Sequence, residues 1–316
     1  MIHKLLMLMS LTLLADITAG QIGNILDTTE GRYRIRIQNQ ILEIDPATGG
    51  RITSLVVNGF NFLTGKDVND FNWGSTFWIS PQTEWKWPPS ASIDNKPYSV
   101  SVTGDELTLI SEKDPKTGLI VTKKFAGDNK NGSFILNYII TNKSDTIRMV
   151  APWEVTRVHT NGFSFFPVGK GLRRGSLLPL TKEKDGICWF VYNQAELPSH
   201  GDPQLYSDGA EGWLAQINKG IIFIKKFPDL PFEMNAPEEG EIELYASPVI
   251  KGKGYVELEQ QGAYVALHPG ESLTWKVKWY IRELPISLPV QAGDNSLVTY
   301  VRRLLDIVEI HSASIP

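Results

Sequence analysis

Short segments of alternating apolar and polar residues follow one another along most of the chain. Tyr33–Ile37 and Arg51–Val57 are two early examples, and Asn58 and Gly59 close the second with residues typical of tight turns. Side chains of a β-strand point alternately to the two faces of a sheet, so a period of two predicts strands with one buried face. Because such segments recur at short, regular spacing, we predict an almost all-β protein built as a large antiparallel β-sandwich.

Two pairs of these segments predict β-hairpins. Residues 213–217 and 221–224 flank a short turn that contains Gly220, which is the arrangement of a tight hairpin. Near the C-terminus, residues 264–267 and 273–281 flank a loop with a proline and a glycine. In the last of these segments apolar and mostly charged side chains alternate, which indicates a sheet with one buried face and one wetter face.

Only the C-terminal segment has the period of a helix. Residues 296–310 place Leu297 and Val301 at helical spacing, and Asp294 and Asn295 precede them as candidate capping residues. We find no internal repeat, no low-complexity tract and no linker that would divide the chain after its first twenty residues. We therefore expect residues 21–316 to form a single β-sandwich domain with a short C-terminal helix.

The N-terminus has the pattern of a secretory signal peptide. Lys4 precedes an apolar run, residues 5–15, that is too short to span a bilayer, and small residues at 18–20 offer a cleavage site. A buried first strand or helix is the alternative. We expect residues 1–20 to be removed on export, leaving a periplasmic or extracellular protein with no membrane association.

Charge and cysteine content exclude several classes of protein. The formal net charge is −4 and the basic residues are dispersed, whereas a nucleic-acid-binding protein would show a basic stripe. The single cysteine, Cys188, forms neither an internal disulfide nor a zinc site alone, and its apolar neighbours predict core packing. The histidines lack metal-ligand spacing and no phosphate-binding loop is present, so we expect no metal, no cofactor and no nucleic-acid partner.

A segment dense in tryptophan is the first candidate site. Residues 73–89 contain four tryptophans, together with glycine and prolines that argue against a regular central strand. A tryptophan in a loop can stack its ring on a sugar while its N–H donates a hydrogen bond. The alternative is that these rings cap the core of the sandwich. The candidate ligand-binding residues here are Trp78, Gln82, Trp85 and Trp87.

A second candidate lies in residues 151–159, where alternation gives both faces of a strand a polar group. Trp153 and Arg157 share one face, Glu154 lies on the other, and His159 ends the segment. Charge on both faces is unusual for a core strand and favours a strand that borders a groove. An edge strand with a surface arginine is the alternative.

The third candidate is a pair of carboxylates. Glu257 and Glu259 share one face of the segment 256–262, and Gln261 follows them on the same face. Such a row can bind a substrate or supply a general base. It can equally be the solvated face of a sheet, because charged residues are usually exposed.

Taken in order, these motifs resemble the galactose mutarotase-like superfamily, the supersandwich fold of aldose epimerases. More closely, they resemble the bacterial family catalogued as domain of unknown function 4380. Residues 49–55 read G-G-R-I-T-S-L, like an early strand of these proteins, and residues 78–87 and 151–157 resemble motifs of the closer family. L-E-Q-Q at 258–261, followed by L-H-P-G-E-S at 267–272, resembles the ending of the epimerases.

The resemblance implies roles for individual residues. In aldose epimerases a glutamate of the "L-E-x-Q" strand accepts a proton from the anomeric hydroxyl while a histidine protonates the ring oxygen, and Glu259 matches that glutamate. The strand expected to carry the histidine has Trp153 and Glu154 instead. A Glu154–Glu259 pair would divide the acid and base roles where burial or like charge raises one pKa, and His159 is a further candidate.

The sequence therefore predicts an exported carbohydrate-active protein with a concave sugar-binding site. As an enzyme it would be an aldose epimerase-like isomerase, with Glu259 and Glu154 as catalytic residues. One alternative is a non-catalytic carbohydrate-binding protein, which needs the aromatic platform but not the acid/base pair. Another is a structural sandwich that packs against polysaccharide-degrading enzymes.

Overall fold

Alternating side chains give the chain its strands, as predicted. The computed structural model describes residues 21–313 apart from Gly23 and Thr29, so the expected signal peptide lies outside the described residues. In chain order the strands are β1 (Gln21–Ile22), β2 (Ile25–Asp27), β3 (Tyr33–Ile37), β4 (Gln40–Asp45), β5 (Arg51–Val57), β6 (Phe60–Asn61), β7 (Ser75–Ser80), β8 (Ser99–Thr103), β9 (Glu106–Ile110), β10 (Leu119–Asp128), β11 (Ser133–Asn142), β12 (Arg148–His159), β13 (Phe163–Pro167), β14 (Thr181–Lys184), β15 (Ile187–Val191), β16 (Gln204–Ser207), β17 (Trp213–Asn218), β18 (Ile221–Lys226), β19 (Ile242–Ala246), β20 (Tyr255–Gln261), β21 (Val265–Leu267) and β22 (Ser272–Glu283).

The strands form two antiparallel sheets that pack face to face. We call the first the site sheet; its order is β1-β2-β3-β4-β5-β7-β12-β20-β19-β16, with β6 beside β5 and β21 beside β12. The second, the back sheet, has the order β14-β15-β13-β17-β18-β22-β11-β10-β9-β8. The hydrophobic core lies between them, where side chains such as Leu55 of the site sheet and Val277 of the back sheet are fully buried. The prediction of an antiparallel β-sandwich is confirmed.

Helices are few in the described part of the chain. They are α1 (Ala91–Asp94) and α2 (Asn295–Ala313), with 3₁₀ turns at Gln82–Glu84, Leu178–Leu180, Gln194–Glu196 and Phe232–Met234. Neither α-helix is long and apolar enough to cross a membrane.

The C-terminal helix is confirmed and covers the outer face of the back sheet. Leu297 and Val301 of α2 pack on Ile222 and Tyr280, so Tyr280 is 1% exposed although alternation placed it on the wetter face. Asp294 accepts a hydrogen bond from the backbone N–H of Ser296 (2.8 Å) at the start of the helix.

The first predicted hairpin is confirmed and the second is wrong. Asn218 pairs with Ile221, so β17 and β18 are joined by a two-residue turn at Lys219 and Gly220, both with positive φ. That conformation matches the twist of the flanking strands. The strand β21 instead pairs with β12 in the site sheet, whereas β22 pairs with β11 and β18 in the back sheet. The loop between them therefore crosses from the site sheet to the back sheet.

A buried ion pair joins the two sheets. Lys225 of β18 and Glu154 of β12 lie 3.0 Å apart, and neither side chain is exposed. Glu154 also accepts hydrogen bonds from Tyr138 (2.5 Å), Gln260 (2.6 Å) and Trp279 (3.0 Å). A buried charge is tolerated only when it is paired and hydrogen-bonded, and both conditions are met here.

Lys225→Met is expected to lower the free energy of unfolding by about 3–5 kcal/mol, because it leaves the Glu154 carboxylate buried without its cation. Chemical denaturation measures this loss. The double variant Glu154→Gln/Lys225→Met removes both charges and should lose less than Lys225→Met alone. Equal losses in the two variants would show that the ion pair does not govern stability.

Candidate functional site

A large pocket opens on the outer face of the site sheet, over β7, β12, β20, β19 and β16. Its volume is about 920 Å³. The register aligns side chains of neighbouring strands across its floor, with Trp153 opposite Trp78 on one side and Glu259 opposite Glu243 on the other. The residues that line it are Asn72, Trp78, Gln82, Thr83, Lys86, Trp87, Trp153, Arg174, Asp202, Gln204, Tyr206, Glu238, Glu239, Glu243, Tyr245, Tyr255, Glu257 and Glu259.

Two carboxyl groups at the floor share one hydrogen-bond donor. The Gln204 side-chain amide donates to Oε2 of Glu243 (2.8 Å) and to Oε1 of Glu259 (3.2 Å). Trp153 donates its indole N–H to the other oxygen of Glu259 (3.0 Å), and Gln261 donates to the other oxygen of Glu243 (2.9 Å). Both carboxyl groups are therefore fixed in position and close together.

Burial and like charge make this pair weakly acidic. Burial raises the pKa of Glu259 to about 8, and the nearby Glu257 charge acts in the same direction. Burial also raises the pKa of Glu243 well above its ordinary value, helped by the charges of Glu259 and Glu239. Two adjacent carboxyl groups that resist ionisation can hold a proton at neutral pH, which gives one site a potential acid and a potential base.

Tryptophan rings form the wall beside these carboxyl groups. Trp78 contacts Trp153 and Trp87 edge to face, with ring centroids 5.3 Å and 5.9 Å apart. Trp78 is fixed in position because its N–H donates to Asp94 (2.7 Å). Asp94 is itself paired with the buried Arg51 (3.2 Å). Trp87 is 52% exposed, so its ring is the one most available to a ligand.

Arg157 lies beneath the pocket rather than in its lining. It is fully buried, its Nε donates to Glu257 (2.7 Å), and its guanidinium carbon lies 4.9 Å from the ring centroid of Trp78. Arg157 therefore supports two lining side chains without facing the cavity itself.

The predicted Glu154–Glu259 pair is wrong. Glu154 points into the core between the sheets, where it is paired with Lys225, whereas Glu259 faces the pocket. The reason is the alternation of β12. Trp153 faces the pocket, so its neighbour Glu154 must face the opposite side of the sheet.

Three other candidates lie outside the pocket lining. Trp85 borders a neighbouring cavity of about 420 Å³ and donates its N–H to the Ile79 carbonyl (2.6 Å). His159 lies at the end of β12 beside Phe60, with ring centroids 6.1 Å apart. Gln261 is buried and acts through its hydrogen bond to a pocket carboxyl group.

The expectation that the tryptophan segment lacks a central strand is wrong for its first part. Ser75–Ser80 forms β7, which lies between β5 and β12 in the site sheet. Gly74 precedes this strand and Pro81 follows it, so the prolines leave its backbone hydrogen bonds intact. Trp87, Gln82 and their neighbours follow as a loop over the pocket, as predicted.

A family comparison identifies the family of the chain. The family described as "Domain of unknown function (DUF4380)" matches residues 32–282. The chain belongs to the DUF4380 family. No curated protein matches the sequence.

Solved structures identify the fold of this DUF4380 chain. A galactose mutarotase-like protein from Lactobacillus casei ATCC 334 is 12% identical with a TM-score of 0.55, over 80% of this chain and 100% of that one. A candidate aldose 1-epimerase from Escherichia coli K12 is 13% identical with a TM-score of 0.53, over 80% of this chain and 99% of that one. The likeness shows the fold, which is the predicted galactose mutarotase-like one.

A TPR-domain-containing protein from Parabacteroides distasonis ATCC 8503 has the same fold in part of its chain. It is 16% identical with a TM-score of 0.57, and the match covers 82% of this chain but 49% of that one. The DUF4380 chain thus spans about half the length of that protein.

Sequence reasoning missed the residues that β16 and β19 bring to the pocket. Glu243 belongs to E-G-E-I-E-L-Y at residues 239–245, where acidic residues alternate as they do around Glu259. The same pattern could have marked it as a second candidate carboxyl group. Gln204 and Tyr206 carry no such signal. Among the described residues, no group of three or more His, Cys, Asp or Glu is placed to hold a metal ion.

The free energy of unfolding is expected to fall as the pH rises from about 4.5 to about 8. In this range the unfolded chain releases the proton of Glu259 at its ordinary pKa of 4.5, whereas the folded protein retains it. Urea unfolding at a series of pH values measures the slope. Glu259→Gln should make the slope shallower without abolishing it, because burial also raises the pKa of Glu241 to about 8. Parallel curves for the two proteins would contradict this account.

Proposed function

We propose that this DUF4380 protein binds a carbohydrate in the pocket of the site sheet and interconverts its anomers by opening the sugar ring. The observation that carries the proposal is the Glu243–Glu259 pair, joined through Gln204 and bordered by tryptophan rings. The galactose mutarotase-like fold supports the proposal by analogy.

The lining suits a sugar because it combines aromatic faces with many hydrogen-bonding groups. The exposed ring of Trp87 can stack on the apolar face of a sugar. Carboxyl, amide and phenol groups on the opposite side, such as those of Glu257, Gln204 and Tyr245, can bind hydroxyl groups. Trp78 and Trp153 contribute mainly to the shape of the floor, since both are almost fully buried.

The proposed chemistry divides two proton transfers between the paired glutamates. The reactive form carries one proton on the pair: ionised Glu259 accepts the proton of the anomeric hydroxyl while protonated Glu243 donates a proton to the ring oxygen. Because burial raises the pKa of Glu259 to about 8, this form becomes more populated as the pH approaches 8. The bond between the anomeric carbon and the ring oxygen breaks, and the anomeric carbon becomes a carbonyl. Closure on the other face of the carbonyl returns both protons and gives the other anomer. Glu243 thus takes the acid role that the sequence suggested for Glu154.

The charge of the lining favours a neutral or cationic sugar over an acidic one. Its acidic side chains outnumber its basic ones, and uronic acids or sulfated sugars would meet like charge. The acidic residues of the lining are Asp202, Glu238, Glu239, Glu243, Glu257 and Glu259, and the basic ones are Lys86 and Arg174.

Binding without catalysis is the second candidate function, and one observation favours it. Every oxygen of Glu243 and Glu259 already accepts a hydrogen bond from the protein. A pair held in this way can serve as a rigid acceptor for sugar hydroxyls without moving a proton. A catalyst would accelerate anomer exchange, and a variant could lose that activity. A protein that only binds sugar would not accelerate anomer exchange.

We also propose that the protein is exported to the periplasm or the extracellular space. The support is the leader at residues 1–20, with its single lysine, short apolar run and small residues before Gln21. A pocket for carbohydrate agrees with that location.

Trp87→Ala is expected to weaken sugar binding by about 1 kcal/mol, roughly fivefold, with little effect on stability, because the ring is exposed and borders the pocket. Calorimetry with a panel of neutral monosaccharides measures the change. Trp85→Phe, a substitution in the same loop outside the lining, should bind like the unaltered protein. Equal weakening in both variants would mean that the loop acts through its fold and not through stacking.

Glu259→Gln and Glu243→Gln should each lower the rate of anomer exchange by 10²–10⁴-fold, the usual contribution of a general acid or base. Exchange spectroscopy by NMR with galactose and glucose measures this rate. Glu257→Gln is the matched control, because it lies on the same strand face, and a smaller loss is expected. If the unaltered protein binds these sugars without accelerating exchange, binding alone is its function.

A further inference from the structure

A second cavity lies directly beside the pocket that holds the acid/base pair. Its volume is about 350 Å³, at the lower end of the range for small-molecule sites. Arg174, Tyr206, Glu238 and Glu239 line both cavities, so the two are contiguous. At their junction the guanidinium of Arg174 stacks on the ring of Tyr206, 3.6 Å from its centroid.

Polar groups without partners line this second cavity. Asp208 is 5% exposed; one of its carboxylate oxygens accepts from the Gly171 N–H (2.8 Å), while the other has no hydrogen-bond partner among the described residues. The side-chain amide of Asn235 is buried with neither its nitrogen nor its oxygen bonded to any described group. Buried polar atoms are almost always paired. A ligand rich in hydroxyl groups supplies both the donors and the acceptors that these atoms lack.

An aromatic ring completes the cavity. Phe232 lines it and is 45% exposed. The ring packs directly on Gly171, where a Cβ atom would lie 2.2 Å from the ring, so a larger residue at this position would displace the ring. The second cavity therefore repeats the composition of the first: an accessible aromatic ring opposite carboxylate and amide groups.

We infer that the second cavity is a subsite for a neighbouring sugar unit, and that the ligand is a neutral oligosaccharide rather than a free monosaccharide. This inference rests on the proposed carbohydrate binding. The reducing-end unit occupies the pocket with Glu243 and Glu259, and the chain passes Arg174 to place its next unit against Phe232.

Calorimetry with ligands of increasing length tests the inference. The probes are galactose and glucose with their β-1,4-linked disaccharides and trisaccharides. The disaccharide should bind at least fivefold more tightly than its monosaccharide, with no comparable gain for the trisaccharide. Phe232→Ala should remove about fivefold of the disaccharide affinity and leave the monosaccharide affinity unchanged.

Two further variants make the result specific. Met234 lies in the same 3₁₀ turn as Phe232 but lines neither cavity. The Met234→Ala variant should therefore bind all probes like the unaltered protein. Asn235→Leu keeps the number and branching of the side-chain heavy atoms, removes the amide and should weaken disaccharide binding alone. Monosaccharide binding without a gain for the disaccharide would overturn the second subsite and leave the proposed function intact. If no probe binds the unaltered protein, the proposed function fails and the inference fails with it.

Discussion

The site depends on one strand, β12, that carries charged residues on both of its faces. On the inner face Glu154 is neutralised by Lys225 from the back sheet, so that the strand can be buried at all. On the outer face Arg157 binds Glu257 and lies against Trp78. Because the strand is fixed from both sides, Trp153 is held where its N–H reaches Glu259. The same strand therefore determines both how the two sheets pack here and how the pocket residues are positioned.

Buried carboxyl groups on the two faces of the site sheet have different charged neighbours. Inside the core the carboxylate of Glu154 has a cation within 3.0 Å, and the charges compensate each other. In the pocket Glu243 and Glu259 have amide and indole donors but the charges of neighbouring carboxylates as well, and the pKa of both groups rises. The difference lies in the partner and not in the degree of burial, since all three side chains are almost fully buried.

Local pattern was enough to predict many of the strands, the C-terminal helix and the side of β20 on which Glu259 lies, because alternation is a property of adjacent residues. It was not enough for β7, which the nearby prolines and glycine argued against. Alternation also placed Trp153 and Glu154 on opposite faces of their strand, although the resemblance to epimerases suggested a role for Glu154 beside Glu259. Local pattern could not identify the residues of other strands that lie beside Glu259. Glu243 reaches Glu259 through the pairing of β19 with β20, and Gln204 through β16, which β17 and β18 of the back sheet separate from its partner β19 along the chain. The second hairpin was predicted wrongly because two segments that are close in sequence need not join the same sheet.

No histidine of the described residues lines the pocket, but two adjacent carboxyl groups can perform both the acid and the base role. Ionising one of them makes ionisation of the other more costly, so the pair holds a single proton over a range of pH. Both carboxyl groups accept hydrogen bonds that favour an ionised form, Glu259 from Trp153 and Gln204, and Glu243 from Gly240, Gln204 and Gln261. Hydrogen bonding therefore does not distinguish the two groups. The proposed mechanism assigns the base role to Glu259 because it matches the glutamate of the L-E-x-Q motif. It leaves the proton on Glu243, since burial and the charges of Glu259 and Glu239 raise the pKa of that group well above its ordinary value.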